Sequence, residues 1–245
     1  MTRQLHQPDL YPLTSKYDAA WLLDLDMGPN PLWLLEDLAR GLALQPGMRV
    51  LDLGSGRGAT SVFLAREFGV EVVAADLWVD PAQASTLFAE AGVAGRVEAV
   101  RAEAHALPFE PAAFDAIVSI DAYEYFGTAD SYLAYITRFL KPGGRLGIAT
   151  PAMRQEVRDL GEIPAHIRAC VGWEAAAWHT AEWWRFHWAI TGLVSVTSAR
   201  LQETGWADWL RWTRAGHTPD RDRVIAMLEA DRGDLLSFAL VTAVK

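Results

Sequence analysis

The chain holds a single cysteine, Cys170, in 245 residues. One thiol excludes an internal disulfide and a cysteine-based metal cluster. Basic residues are scarce as well: 22 Lys and Arg stand against 31 Asp and Glu, a formal net charge of −9. An acidic surface repels phosphate backbones and argues against nucleic acid as a partner. No apolar run is long enough to span a bilayer. Residues 1–6 are polar and lack the apolar core of a signal peptide. The expectation is a soluble, cytoplasmic protein with neither membrane nor nucleic-acid partner. No internal repeat or low-complexity tract stands out, and nothing in the sequence sets an oligomeric state.

Several catalytic arrangements are missing too. There is no nucleophile-elbow serine and no catalytic-looking cysteine. His179 and Glu182 can share a helix face, but His187 lies off any standard ligand offset from them, so no metal is expected.

What is abundant is apolar: 51% of residues are hydrophobic, enough to fill the core of one α/β domain with added helices. Short apolar strands are expected at 49–53, 71–75, 97–101, 116–120 and 146–150. Asn30-Pro31 reads as a helix start, a capping side chain followed by proline in the first turn, with Leu34, Leu35, Leu38 and Leu42 on one face. A second helix starts at Asp80-Pro81 and closes at Gly92, and another spans 130–140. Strands alternating with helices predict a parallel sheet. Beyond Pro151 the pattern turns helical to residue 192, and strands are expected again at 193–199 and 238–244. Eight tryptophans crowd residues 173–212. Gly205-Trp206 reads as a turn.

The densest signal is Val50-Leu51-Asp52-Leu53-Gly54-Ser55-Gly56-Arg57-Gly58, followed by an amphipathic stretch from Ala59 to Phe68. The order is strand, Gly-rich turn, helix. Glycines let a ligand approach the backbone, and the free N–H groups of the helix start favour a polar or anionic group. Gly54, Gly56 and Ala59 also satisfy the loose dinucleotide pattern, which keeps a nicotinamide-dependent reductase open. Asp76 closes the second strand, 22 positions after Gly54. A carboxylate there accepts hydrogen bonds from both hydroxyls of a ribose, whichever nucleotide carries it.

Asp52 two residues before the first glycine, the strictly alternate glycines and Lys141-Pro142-Gly143-Gly144 before the fifth strand together resemble the class I S-adenosylmethionine-dependent methyltransferases. The resemblance covers residues 45–150 well and the remainder loosely. It implies a Rossmann-like α/β fold, with a seven-stranded, mostly parallel sheet in the order 3-2-1-4-5-7-6 and helices on both faces. It divides one domain into an N-terminal helical cap (1–45), a cofactor-binding core (46–151), a helical lid (152–192) and two closing strands (193–245). It also implies S-adenosyl-L-methionine as cofactor, held by Gly54, Ser55, Gly56 and Gly58 of the turn. Asp52 orients the turn and the methionine end, and Asp76 takes the ribose. Glu103-Ala104-His105-Ala106-Leu107-Pro108-Phe109 is similar to the family's acid-Ala-x-x-Leu-Pro-Phe segment: Glu103 and Ala104 would meet the adenine, with Leu77 and Leu107 as apolar walls. Asp121 follows the fourth strand, where cofactor and acceptor meet. Relatives often carry His near position 124, and this chain has Glu.

Methyl transfer from a sulfonium requires mainly alignment and exclusion of water, so no dyad or triad is demanded. Tyr123 and Glu124 are the catalytic candidates. Tyr17, His179, Trp184 and His187 are candidates for contact with a small-molecule acceptor. The tryptophan cluster reads either as packing of a lid helix or as the aromatic wall of an acceptor pocket. Three functions remain on sequence grounds: a methyltransferase, a reductase, and a non-catalytic protein that keeps the cofactor cleft. The reductase lacks a four-residue Tyr–Lys spacing between Tyr135 and Lys141.

Overall fold

The computed structural model describes residues 5–245; residues 1–4 of the polar amino-terminal stretch lie outside the described residues. The amino-terminal segment carries α1 (Ala19–Asp24) and α2 (Pro31–Ala39). The core follows as β1 (Arg49–Leu53), α3 (Ala59–Phe68), β2 (Glu71–Asp76), α4 (Pro81–Glu90), β3 (Val97–Arg101), β4 (Phe114–Ile120), α5 (Tyr132–Ile136) and β5 (Leu140–Met153). Then come α6 (Val157–Leu160), α7 (Ala165–Val171), α8 (Ala181–Ala189), β6 (Ser195–Leu201), α9 (Gly205–Ala215), α10 (Arg221–Asp231) and β7 (Leu236–Val244).

The seven strands form one sheet in the order β3-β2-β1-β4-β5-β7-β6, the order the family resemblance implies. β1 to β5 run parallel, and β7 is antiparallel to both β5 and β6. Successive strand residues face opposite cores. Val50, Val72 and Val118 join α2 and α3 on one side, while Leu51, Val73 and Ile117 join α5 and α8 on the other. A strand covered on both faces by helices needs apolar residues at most positions, which is why β1 and β4 are mainly apolar, with Asp52 and Ser119 as their buried polar exceptions.

Several local expectations are corrected. Asn30 does not cap α2 through its side chain; its backbone is left-handed (φ 37°), and the helix begins on Pro31 alone. The expected helix at 130–140 shortens to α5 plus a 3-10 turn at Thr137–Phe139, because the chain enters β5 already at Leu140. Lys141-Pro142-Gly143-Gly144 therefore lies within β5 rather than before it, at a register shift against β4 between Phe114 and Ala116. Gly205-Trp206 opens α9 instead of marking a turn. Gly205 is required there by packing, since a Cβ would fall 2.5 Å from Ser237 Oγ of β7. Trp209 and Trp212, three residues apart on α9, are buried in the core, a helical spacing hidden within the tryptophan-rich tract. Among the described residues no helix is long and apolar enough to cross a membrane.

Candidate active site

A cleft opens at the carboxyl ends of β1, β2 and β4, where α/β sheets bind ligands. Its floor is Gly54, Ser55, Gly56 and Arg57; its sides are Asp76, Leu77 and Trp78, then Glu103, Ala104 and His105; its far end is Asp121, Ala122, Tyr125 and Phe126. Leu25, Met27, Gly28 and Pro31 of the amino-terminal segment roof it.

The floor is built by backbone geometry. Gly54 sits at φ +75°, and a Cβ there would lie 2.5 Å from that of Ala122. Gly56 sits at φ +53°, beneath Met27 Sδ. Side chains at these positions would occupy the cradle, and L-residues resist that backbone conformation. Asp76 reaches the same loop: Oδ2 accepts from the Gly56 N–H at 2.9 Å, while Oδ1 accepts from the N–H groups of Trp78 and Val79 at 2.8 and 3.0 Å. Three backbone donors fix one carboxylate at the rim. At the β3 end, Glu103 accepts from the His105 N–H at 3.0 Å, and its other oxygen pairs with His105 Nδ1 at 2.8 Å. That imidazole holds the Glu103 carboxyl below its ordinary range.

Other sequence candidates lie elsewhere. Gly58, at φ +97°, is not a cleft wall; a Cβ there would meet Phe88 Cε1 at 2.6 Å, so it serves the packing of α4 on the turn. Asp52 is buried below the floor and accepts from the hydroxyls of Thr60 and Ser61 at 2.7 and 2.6 Å. These bonds fasten the start of α3, Asp52 is not among the residues that line the cleft, and burial pushes its carboxyl up to about 6.

Tyr123 is fully buried behind the cleft, edge-on to Trp184, Trp188 and Tyr132, with no partner for its hydroxyl among the described residues. Glu124 is also buried and accepts from Thr150 Oγ1 at 2.7 Å; burial pushes it up to about 7. Neither touches the cleft wall, because the 3-10 turn Tyr123–Tyr125 directs its first two side chains into the core. Tyr125, the third, faces the cleft instead.

The acceptor candidates also lie away from this cleft. Tyr17 packs on Trp21 and Phe63 with its hydroxyl on Glu67 Oε1 at 3.2 Å, at the back of α3. His179 pairs with Glu156 Oε2 at 2.9 Å and stacks on Trp183 at 3.6 Å, and His187 stacks on the same indole at 4.4 Å. Trp184 is fully buried. None of the four lines the cleft; α8 turns its apolar face onto the sheet, and its own His187 and the preceding His179 stack on its Trp183. The packing reading of the cluster therefore holds for Trp184 and Trp188.

Met27, Gly28, Arg57, Trp78 and Tyr125 were not anticipated. Arg57 sits between two turn glycines, a signal that was available; its guanidinium donates to Asp24 O at 2.8 Å and ties the roof to the floor. Met27 and Gly28 carry no local signal, since only folding brings them over a turn nearly thirty residues later. Among the described residues no group of three or more His, Cys, Asp or Glu is placed to hold a metal.

Residues 50–144 match the model of a family described as "Methyltransferase domain". The demethylmenaquinone methyltransferase of Clavibacter sepedonicus is 37% identical over 141 residues, which cover 56% of this chain and 54% of that protein. The sterol 24-C-methyltransferase of Yarrowia lipolytica is 30% identical over 138 residues, covering 56% and 36%. The chain thus spans about a third to a half of the length of these curated relatives. In three dimensions it is similar to the geranyl diphosphate C-methyltransferase of Streptomyces coelicolor A3(2), solved with S-adenosyl-L-homocysteine, at a TM-score of 0.69 and 20% identity, over 85% of this chain and 76% of that one.

Proposed function

We propose that this chain, a member of the methyltransferase-domain family through residues 50–144, transfers the methyl group of S-adenosyl-L-methionine to a small-molecule acceptor and works as a soluble cytoplasmic enzyme. The observation that carries the reading is the cradle between Gly54, Gly56 and Asp76. A Cβ on either glycine would crowd the space in which a ligand must lie, and the carboxylate at its rim has the chemistry a ribose diol needs.

The cofactor fits the donor set along the cleft. Asp76 offers acceptor oxygens for the ribose. Glu103 and the Ala104 backbone face the space assigned to adenine, and Leu77 supplies an apolar edge. Asp121 and Ala122 bound the opposite end, next to the roof. When bound, S-adenosylmethionine supplies a sulfonium methyl group open to in-line displacement. The chain's own contribution is positional: the Gly turn and Asp76 hold the nucleoside, while Met27, Gly28 and Pro31 exclude water from above. Alignment of this kind is worth up to about 7–11 kcal/mol in favourable cases.

The acceptor we infer is neutral or cationic. Arg57 is the one permanent cation among the cleft-lining residues, and its guanidinium is engaged with the Asp24 carbonyl. Asp76, Glu103 and Asp121 line the same space, so an acceptor bearing phosphate or carboxylate meets repulsion without a compensating fork of donors.

Calorimetric titration with S-adenosylmethionine and, separately, NADH tests the reading. Saturable binding of the first alone is expected. Binding of NADH alone restores the reductase, and binding of the methyl donor without turnover of any amine, phenol or carbon acid supports a non-catalytic role.

A further inference from the structure

Three carboxylates line the cleft, Asp76, Glu103 and Asp121, and two of them are occupied by the chain itself. Asp76 holds three backbone N–H groups, and Glu103 holds the N–H and the imidazole of His105. Asp121 differs: among the described residues no donor reaches its carboxylate. The roof supplies none. Gly28 lies over Oδ2 so closely that a Cβ would stand 1.9 Å away, yet its N–H donates to Asp26 Oδ1 at 3.3 Å. Arg57, the cation of the cleft, donates to Asp24 O. The Asp121 backbone is fixed, with φ at 54° and its N–H donating to Ala149 O at 2.7 Å. A partly covered carboxylate without a donor is costly, and its neighbours indicate which donor suits it. Tyr125 and Phe126, on the turn that follows, border the same end of the cleft. Tyr125 is 63% exposed, a large ring held open to the cleft. Aromatic faces attract a cation, more strongly as water is excluded.

The sheet order β3-β2-β1-β4 sets Asp121 across β1 from Asp76 and across both β1 and β2 from Glu103. With the ribose on Asp76 and the adenine at Glu103, the methyl-bearing sulfur points toward β4; the inference rests on that reading. The carboxylate of the methionine tail is drawn instead to the first turn of α3. Ala59 and Thr60 line the cleft there, and first-turn N–H groups have no partner within the helix. Asp121 is thereby left to the acceptor.

We propose that the acceptor is an amine, reaching the cleft as an ammonium ion, and that Asp121 selects it, with Tyr125 and Phe126 as the aromatic wall. Asp121 accepts a hydrogen bond from the incoming N–H and then its proton, which frees the nitrogen lone pair. The nitrogen–carbon bond forms as the carbon–sulfur bond breaks. The sulfur keeps the electron pair as a neutral thioether, and the proton on Asp121 passes to solvent. A phenol or carbon acid gains only a hydrogen bond from this carboxylate, without the attraction of opposite charges. The cofactor's methionine tail also carries an ammonium group, so two nitrogen cations are open to Asp121, and the experiment separates them.

The test is isothermal calorimetry of the whole chain saturated with S-adenosylhomocysteine, titrated with choline and with its neutral isostere 3,3-dimethylbutan-1-ol. Choline carries the positive charge without an N–H, so it reads the ionic part alone. It should bind about ten-fold more tightly than the alcohol or better. In Asp121→Asn, choline affinity should fall about ten-fold or more, while the alcohol and S-adenosylhomocysteine each stay within about two-fold. Equal affinity for choline and the alcohol in the wild-type protein, or no binding of choline, overturns the proposal without any variant, whatever the folding of Asp121→Asn. A loss of S-adenosylhomocysteine affinity of about ten-fold in the folded variant assigns Asp121 to the methionine ammonium and overturns the proposal as well. Failure of S-adenosylmethionine and S-adenosylhomocysteine to bind the wild-type protein at saturating levels overturns the cofactor reading, and this inference with it.

Discussion

Gly28 and Asp121 touch: a Cβ built on Gly28 would lie 1.9 Å from Asp121 Oδ2. The roof segment and the end of β4 thus meet at one point with no room for a methyl group. Replacement Gly28→Ala should lift residues 25–31 from the cleft and leave the sheet intact. We expect affinity for S-adenosylmethionine to fall several-fold while the thermal midpoint moves little, because Gly28 is outside the buried core. Paired calorimetry and thermal melts check it; an unchanged affinity means the roof does not cover the bound ligand.

Asp76 is both a rim acceptor and a brace for the loop, through Gly56, Trp78 and Val79. Asp76→Ala should weaken cofactor binding by about 1.5–3 kcal/mol for each ribose hydrogen bond lost. Asp76→Asn keeps an acceptor oxygen and should be weakened less. Cofactor affinity of Asp76→Ala equal to wild type removes Asp76 from the site.

Two of the turn glycines, Gly56 and Gly58, should separate experimentally. Gly56→Val fills the cradle under Met27 and should abolish binding in a folded protein. Gly58→Ala meets Phe88 and the strain of φ +97°, so its effect should be on stability, about 1–3 kcal/mol, read by urea denaturation. Loss of binding by Gly58→Ala at full stability contradicts the packing role.

Burial raises the Glu124 carboxyl to about 7. A group whose folded-state value is raised contributes stability fully present below its unfolded value, and that contribution is lost as pH rises through the folded value. The wild-type protein should therefore lose stability between about pH 4.5 and 7 for this reason. Glu124→Gln retains an oxygen for the Thr150 hydroxyl and should show less of that loss, so that it gains on wild type at pH 8 relative to pH 5. Thermal melts across this range check it; parallel curves for the two proteins reject Glu124 as a source of the decline.

Trp184 sits at 0% exposure against Tyr123 and Trp188. Trp184→Ala should cost about 3–5 kcal/mol, as large-to-small core changes do, with cofactor affinity preserved in whatever fraction remains folded. A stable variant deficient only in turnover would return this residue to the acceptor pocket.

The legible part of the site consists of short local segments at the strand ends. Gly54, Ser55, Gly56, Asp76, Leu77, Glu103, Ala104 and Asp121 all line the cleft, because each follows a strand end, and parallel strands deliver their carboxyl ends to one edge. The illegible part is set by side-chain direction. Tyr123 and Glu124 follow the end of β4 directly after Asp121, yet the 3-10 turn sends them inward and Tyr125 outward. Asp52 lies in the right motif, but the hydroxyls of Thr60 and Ser61, eight and nine residues on, claim its carboxylate from below.

From sequence alone came the alternation of strands and helices, the Gly turn and the acids at the strand ends, since these are local patterns of periodicity and backbone freedom. Tertiary structure decided which side chains share the cleft: the roof of Leu25, Met27 and Gly28, the inward burial of Tyr123 and Trp184, and the stacking of His179 and His187 on Trp183 of α8. Such choices depend on which apolar surfaces pair across long stretches of chain, and hydrophobic attraction has no direction that a linear pattern can record.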